Sequence, residues 1–211
     1  MTAPGDLVTD APLAHLRWGA TGPSRGWAVL LHGVGGGRQA WDGVAPVLAR
    51  EGFHVAAVDL PGYGLSPTIE PYDLAGLAAR VLALLDHLDA PRALLVGHSM
   101  GGMLAQEIQA LAPARVAGLV LANTSPAFGQ PDGDWQRDFL RQRFAPLDAG
   151  LGLPGLAAQL VPTMLGPDAP ADTAAAAQAL MAGVPEATYR AALAALVAFD
   201  RRAALPSITV P

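Results

Sequence analysis

Four runs of consecutive apolar residues mark the first part of the chain: WAVLLH (27–32), FHVAAVD (53–59), ALLVGH (93–98) and GLVLAN (118–123). Each is bounded by Gly, Pro or Asp, and each carries β-branched residues in a run too short for a helix. This is the pattern of strands buried on both faces. Between the runs, positions 40–51, 72–88 and 100–111 repeat apolar residues at intervals of three and four, as in Leu74, Leu77, Val81, Leu84, Leu85 and Leu88. Such a stripe predicts helices with one buried face. Alternation of strand and helix predicts a mostly parallel sheet covered on both faces by helices, an α/β architecture. Positions 13–18 alternate more weakly and predict an early antiparallel strand at the sheet edge.

After Asn123 the pattern changes. A loop, SPAFGQPDGD, leads into a stretch from 134 to 202 that is helical in character, punctuated by Pro146, Pro154, Pro162, Pro167, Pro170 and Pro185, with no strand signal. The segment DTAAAAQALMA is helix-prone by propensity alone, and Leu180, Met181 and Val184 give it an apolar face. The sequence ends in LPSITVP, a β-prone run. The organisation expected is an α/β core over 1–133, a helical insertion over 134–203, and the start of a further core strand over 204–211. No internal repeat appears.

Composition narrows the chemistry. The 211 residues are 52% hydrophobic and 15% charged, enough to bury a core without staples. Cysteine is absent, which removes disulfides, thiolate-held metals and a thiol nucleophile. A net charge of -5, with the 13 basic residues all arginine and scattered, offers no footprint for a phosphate backbone, so nucleic acid is not an expected partner. No leader-like N-terminus and no run of about 18 apolar residues appears, so the expectation is a cytoplasmic protein without a membrane span.

Gly97-His98-Ser99-Met100-Gly101 follows a predicted strand and opens a predicted helix, the setting in which G-x-S-x-G forms a sharp turn with the serine at its apex. Ser99 is the candidate nucleophile. The Met100 N–H, at the start of a helix and without an intrahelical acceptor, is suited to hold an oxyanion. The loop His32-Gly33-Val34-Gly35-Gly36-Gly37 has two readings. A dinucleotide site needs G-x-G-x-x-G, but Arg38 stands at the third glycine position. Alternatively the loop turns the Val34 N–H toward the same oxyanion as Met100. A third signature, Asp59-Leu60-Pro61-Gly62-Tyr63-Gly64-Leu65-Ser66, closes the strand FHVAAVD, where Asp59 reads as a turn-former.

An HG loop, a D-x-P-G-x-G-x-S loop and a GHSMGG turn, in this order, resemble the α/β-hydrolase superfamily. LVLANTSPAFG together with VPEATYRAALAALVAFDRR is similar to its 3-oxoadipate enol-lactonase-like branch. The resemblance implies an α/β-hydrolase fold with a helical lid and a serine hydrolase acting on a small ester or lactone, with Ser99 attacking an acyl carbon. It implies no metal and no cofactor. His32, Gly33 and His98 become candidate substrate contacts in the two loops, and the lid adds Trp135 and Arg137, with Phe139, Leu140, Phe144, Met164, Leu165 and Met181 as further candidate lining. Arg137, Arg141 and Arg143 are candidates to clamp a substrate carboxylate.

The family's base and acid both follow the nucleophile. Here no histidine follows His98; the others are His15, His32, His54 and His87, and Asn123 stands where some members carry the acid. Completing the sheet would take two more strand–helix units of about 30 residues each. The expectation is therefore a chain cut short before the last strands and inactive alone. The competing readings are a non-catalytic binding module with the same pocket, and other reactions of the superfamily, namely C–C hydrolysis, acyl transfer and perhydrolysis. Oligomeric state is left open by the sequence.

Overall fold

The computed structural model describes residues 5–128 and 133–211, so positions 129–132 of the loop after Asn123 lie outside the described residues. Six strands, β1 (Asp6–Val8), β2 (His15–Trp18), β3 (Trp27–Leu31), β4 (His54–Val58), β5 (Ala93–His98) and β6 (Val116–Ala122), form one sheet in the order β1-β2-β4-β3-β5-β6. The four apolar runs are the parallel strands β3 to β6, and β1 and β2 extend the sheet antiparallel beyond β4. Alternation along the strands divides the core. Ala28, Leu30, Val55, Ala57 and Val96 face Trp41, Ala45 and Ala49 on one side. Val29, Leu31, Val58 and Leu95 join the larger cluster on the other side with Leu77, Val81, Leu104 and Ile108. Burial on both faces is the reason these strands read as unbroken apolar runs rather than alternating ones.

Helices α1 (Ala45–Arg50), α2 (Leu74–His87) and α3 (Met100–Leu111) cover the sheet. α2 starts at Asp73, whose carboxylate accepts from the Gly76 N–H at 2.7 Å, and it buries the predicted stripe. The helix expected over 40–51 is instead two pieces, a 3-10 turn at Arg38–Trp41 and then α1. Pro46 sits in the first turn of α1, and its ring excludes the carbonyl four residues back, so one helix cannot run through. The strand expected at the sheet edge, β2, is internal, since β1 pairs along its outer side. Three residues, Asp6, Leu7 and Val8, are too few to show a period.

Helices α4 (Asp134–Asp148), α5 (Gly152–Met164), α6 (Ala171–Ala182) and α7 (Glu186–Val197) follow. They pack mainly on one another and are tied to the core at a few points. Thr188 donates to the Gly62 carbonyl at 3.1 Å, and the Arg201 N–H donates to the Pro126 carbonyl at 2.7 Å. The β-prone end is a 3-10 helix over Arg202–Ser207 holding Pro206, and 208–211 form no strand. This end meets the sheet where the Leu119 N–H of β6 donates to the Pro211 carbonyl at 2.9 Å. Val120 and Leu121 of β6 are exposed.

Glu107 on α3 is almost fully buried, and both its oxygens accept from Arg201 at 2.6 Å. Removing the guanidinium leaves a carboxylate without a counter-charge inside the protein. Arg201→Ala is expected to lower stability by about 2 kcal/mol, below the 3–5 of a fully buried pair because the Arg201 side chain keeps 37% of its exposure. Urea titration checks this, and adding Glu107→Leu is expected to restore at least half of the loss.

Candidate active site

The chain leaves β3 to reach β4 on one side and later returns to lay β5 on the other, so β3 and β5 are adjacent and parallel at the point where the strand order reverses. Loops leaving the carboxyl ends of two such strands diverge and open a crevice. Leu31 is level with Gly97, which brings the glycine-rich loop after β3 beside the turn after β5.

That turn is sharp. Ser99 adopts φ 53 and ψ -119, a conformation a side-chain-bearing residue takes only when its surroundings enforce it. The β6 side holds it: the Ser99 N–H donates to the Ala122 carbonyl of β6 at 3.0 Å, and Thr124 Oγ1 donates to the Ser99 carbonyl at 2.8 Å. A Cβ on Gly101 would overlap the Leu31 carbonyl oxygen, and one on Gly97 would overlap the Gly101 carbonyl oxygen. The two glycines are therefore required by close backbone approach. The first helical hydrogen bond runs from the Gly102 N–H to the Ser99 carbonyl at 2.9 Å, so the Met100 N–H lies ahead of it at the positive end of α3.

The glycine-rich loop is held from behind. His32 is buried, donates from Nδ1 to the Gly33 carbonyl at 2.8 Å, and accepts the Leu60 N–H on Nε2 at 3.1 Å. Both bonds require the neutral ring, and burial lowers its pKa to about 4. The Gly36 N–H also donates to the Gly33 carbonyl, at 2.9 Å. In a trans peptide the N–H points opposite to the carbonyl, so fixing the Gly33 carbonyl fixes the direction of the Val34 N–H. Tyr63 stacks edge-on against His32 and donates to the Val34 carbonyl at 2.9 Å. Asp59 is a structural turn residue here. Its carboxylate accepts the Arg38 N–H at 3.0 Å and the Leu65 N–H at 3.1 Å, and it is ion-paired to the Arg38 guanidinium.

A cavity of about 450 Å³ stands over the crevice, within the range of small-ligand sites. Gly33, Val34, Gly35, Gly36 and Ala40 form its loop side; His98, Ser99 and Asn123 form its strand-end side. Val161, Met164 and Leu165 of α5 and Ala177, Leu180 and Met181 of α6 with the segments beside them complete it. His98 keeps an exposed side chain, and partial burial lowers its pKa. Of the residues singled out from sequence, Ser99, Val34, Gly33 and His98 meet here, as do Met164, Leu165 and Met181. Met100 is fully buried behind the turn, adjacent through its backbone.

Other expected contacts fall elsewhere. His32 lies behind the loop rather than on the cavity surface, because both ring nitrogens are engaged by backbone. Trp135 is 59% exposed and packs against Phe128 and Phe139. Arg137 is ion-paired with Asp134, Arg141 with Asp138, and Arg143 lies over the Phe139 ring. None of these four lines the cavity; their helix, α4, packs against α5 and α7 and contributes no residue to the lining. Val161, Ala177 and Asn123 were not picked out as lining by sequence; the first two lie on the same helix faces as Leu165 and Leu180, a signal available only once the helix phase is known.

A family profile described as alpha/beta hydrolase fold matches residues 27–199. The chain belongs to the α/β-hydrolase fold family. This α/β hydrolase is 38% identical over 207 residues to a protein of Variovorax paradoxus described as the carbamate hydrolase RutD, covering 93% of this chain and 75% of that one. It is 40% identical over 117 residues to the pimeloyl-[acyl-carrier protein] methyl ester esterase of Edwardsiella ictaluri, where the match takes 55% of this chain and 43% of the esterase. A crystal structure of a hydrolase from Pseudomonas aeruginosa superposes with a TM-score of 0.80 at 29% identity, covering 98% of this chain and 77% of that one. The aligned region thus spans less than half the length of the esterase. Among the described residues no helix is long and apolar enough to cross a membrane.

Proposed function

We propose that this α/β hydrolase is a serine esterase for small carboxylic esters, with Ser99 as nucleophile and residues 134–203 as its lid. The observation that carries the reading is the enforced turn at Ser99 opening onto the same cavity as Val34, with the first N–H of α3 alongside. In the reaction, Ser99 Oγ adds to the ester carbonyl carbon as its proton passes to a base. The carbonyl oxygen takes the negative charge and is held by the Val34 and Met100 N–H groups. The C–O bond to the alcohol then breaks, the alcohol leaves with the proton, and water cleaves the acyl-serine by the same sequence. The esterase named among the relatives acts on a methyl ester, which supports the ester class. An enol-lactone is the alternative substrate, without the arginine clamp expected for its carboxylate, because none of the three arginines lines the cavity.

No histidine follows His98 in the 211 residues, so no imidazole occupies the family's place for the base. Hydrolysis of p-nitrophenyl butyrate by these residues is expected to fall at least about 10³-fold below that of esterases with a full triad, since removing the base typically lowers the rate by several orders of magnitude. Added imidazole supplies an external base, and a fluorophosphonate probe is then expected to form an adduct at Ser99, located by peptide mass spectrometry and absent in Ser99→Ala. An adduct confined to other hydroxyls, or none at all, counts against Ser99 as nucleophile and favours a non-catalytic module.

A further inference from the structure

The cavity over Ser99 has a lopsided chemistry. Its polar groups, Ser99, His98, Asn123 and the loop peptides, all stand at the strand-end and loop side. The opposite wall, built by α5 and α6, is apolar throughout, and among the described residues no Asp, Glu or Arg contributes to the lining. Met181 is buried there and lies directly over the glycine-rich loop; a Cβ on Gly35 would come within 3.4 Å of its Cγ. Met164, at the other end of the wall, is 67% exposed and stands at the rim.

From this arrangement we infer that the cavity selects esters whose acyl chain is uncharged and apolar to its end, with Met181 and Leu180 as the residues that set this preference. The inference rests on the reading of Ser99 as the ester-facing end and concerns what lies beyond it. An acyl chain directed from Ser99 toward α6 exchanges water for thioether and aliphatic carbon, which favours binding in proportion to apolar area. A carboxylate at the end of the same chain meets no cation and no hydrogen-bond donor side chain on that wall, and must shed water without compensation. Two arginines of the neighbouring elements are committed elsewhere, Arg38 to Asp59 and Arg190 to Glu186 and Asp148. His98, the one titratable lining group among the described residues, has its pKa lowered by desolvation, which favours the neutral ring. Two methionines at wall and rim suit chains of varied shape, because an unbranched thioether repacks readily.

The test compares two six-carbon methyl esters that differ only at the far end, methyl hexanoate and the anion of monomethyl adipate. Binding is followed at pH 7.5 by ligand-observed NMR titration of the 211-residue chain and of its Ser99→Ala variant. Methyl hexanoate is expected to bind at least about tenfold tighter in both, since the preference does not depend on the hydroxyl. Met181→Trp is expected to weaken methyl hexanoate at least tenfold by filling the cavity. Leu180→Arg, at a half-buried position that tolerates a charge, is expected to bring the adipate monoester to equal or better affinity. Equal binding of the two esters, absence of measurable binding by either, or no response to both variants overturns the inference. The outcome is separable from that of the fluorophosphonate experiment: an adduct without the preference removes only the selectivity, and the preference without an adduct removes only the nucleophile.

Discussion

Gly101→Ala is expected to abolish the folded state or to lower its stability by at least about 3 kcal/mol, the upper range for forcing one methyl into a packed interior. The added Cβ would overlap the carbonyl oxygen of Leu31, with the carbonyl of His32 also within 2.8 Å. These are backbone atoms of a central strand and its loop, so no rotamer change relieves the contact. For a chain of this size the loss corresponds to roughly 6–12 °C in Tm, read by circular dichroism. Gly43→Ala provides the comparison, because a Cβ there meets nothing within 4 Å. Equal melting temperatures for the two variants would show that β3 and α3 can separate, and the case for an enforced turn would fall.

The second large effect is loss of stability in mild acid. His32 has a folded-state pKa of about 4 against an unfolded value near 6.5, so between these values the unfolded chain binds a proton that the folded chain refuses. Stability is therefore full above pH 6.5 and falls as the pH drops toward 4. The loss is about 2 kcal/mol by pH 5 and about 3 kcal/mol by pH 4. His15, buried with its pKa also lowered by desolvation, acts in the same direction. Urea titrations from pH 7 to pH 4 measure the slope, and in His32→Asn the part due to this ring is expected to vanish, from a lower starting stability. A slope unchanged in that variant would show that His32 takes up its proton without unfolding. Protonation would also break the Leu60 N–H bond to Nε2, so the loop that aims the Val34 N–H is loosened in the same pH range.

The parallel sheet and the Ser99 turn were legible in the sequence for a shared reason. Strands buried on both faces leave unbroken apolar runs, and glycines 97 and 101 are demanded by backbone contacts that no other residue permits. What the sequence hid was set by tertiary contacts. β1 is three residues long and owes its extended form to β2. The Glu107–Arg201 pair joins residues remote in sequence, and nothing near either one announces a buried carboxylate. At the site, Gly33, Val34, His98 and Ser99 lie on one cavity as their motifs suggest, His32 does not, and the helical wall had been chosen partly by residue type. Trp135 and Arg137 have suitable chemistry but sit on a helix whose placement only packing decides, while Val161 and Ala177 are plain residues on helices that face the right way.

The geometry at Ser99 also orders events in time. Its amide is held by Ala122 and its carbonyl by Thr124, both contributed by a strand and loop that follow it in the chain. The backbone conformation at the apex therefore lacks these two supports until β6 lies beside β5, and parallel pairing of strands through helical crossovers is a slow, non-local step. A nascent or partly opened molecule carries at position 99 an ordinary serine in an ordinary conformation. The chemistry proposed for that residue belongs only to chains whose sheet has closed around it, so the same bonds that strain the turn also keep a half-folded chain inert.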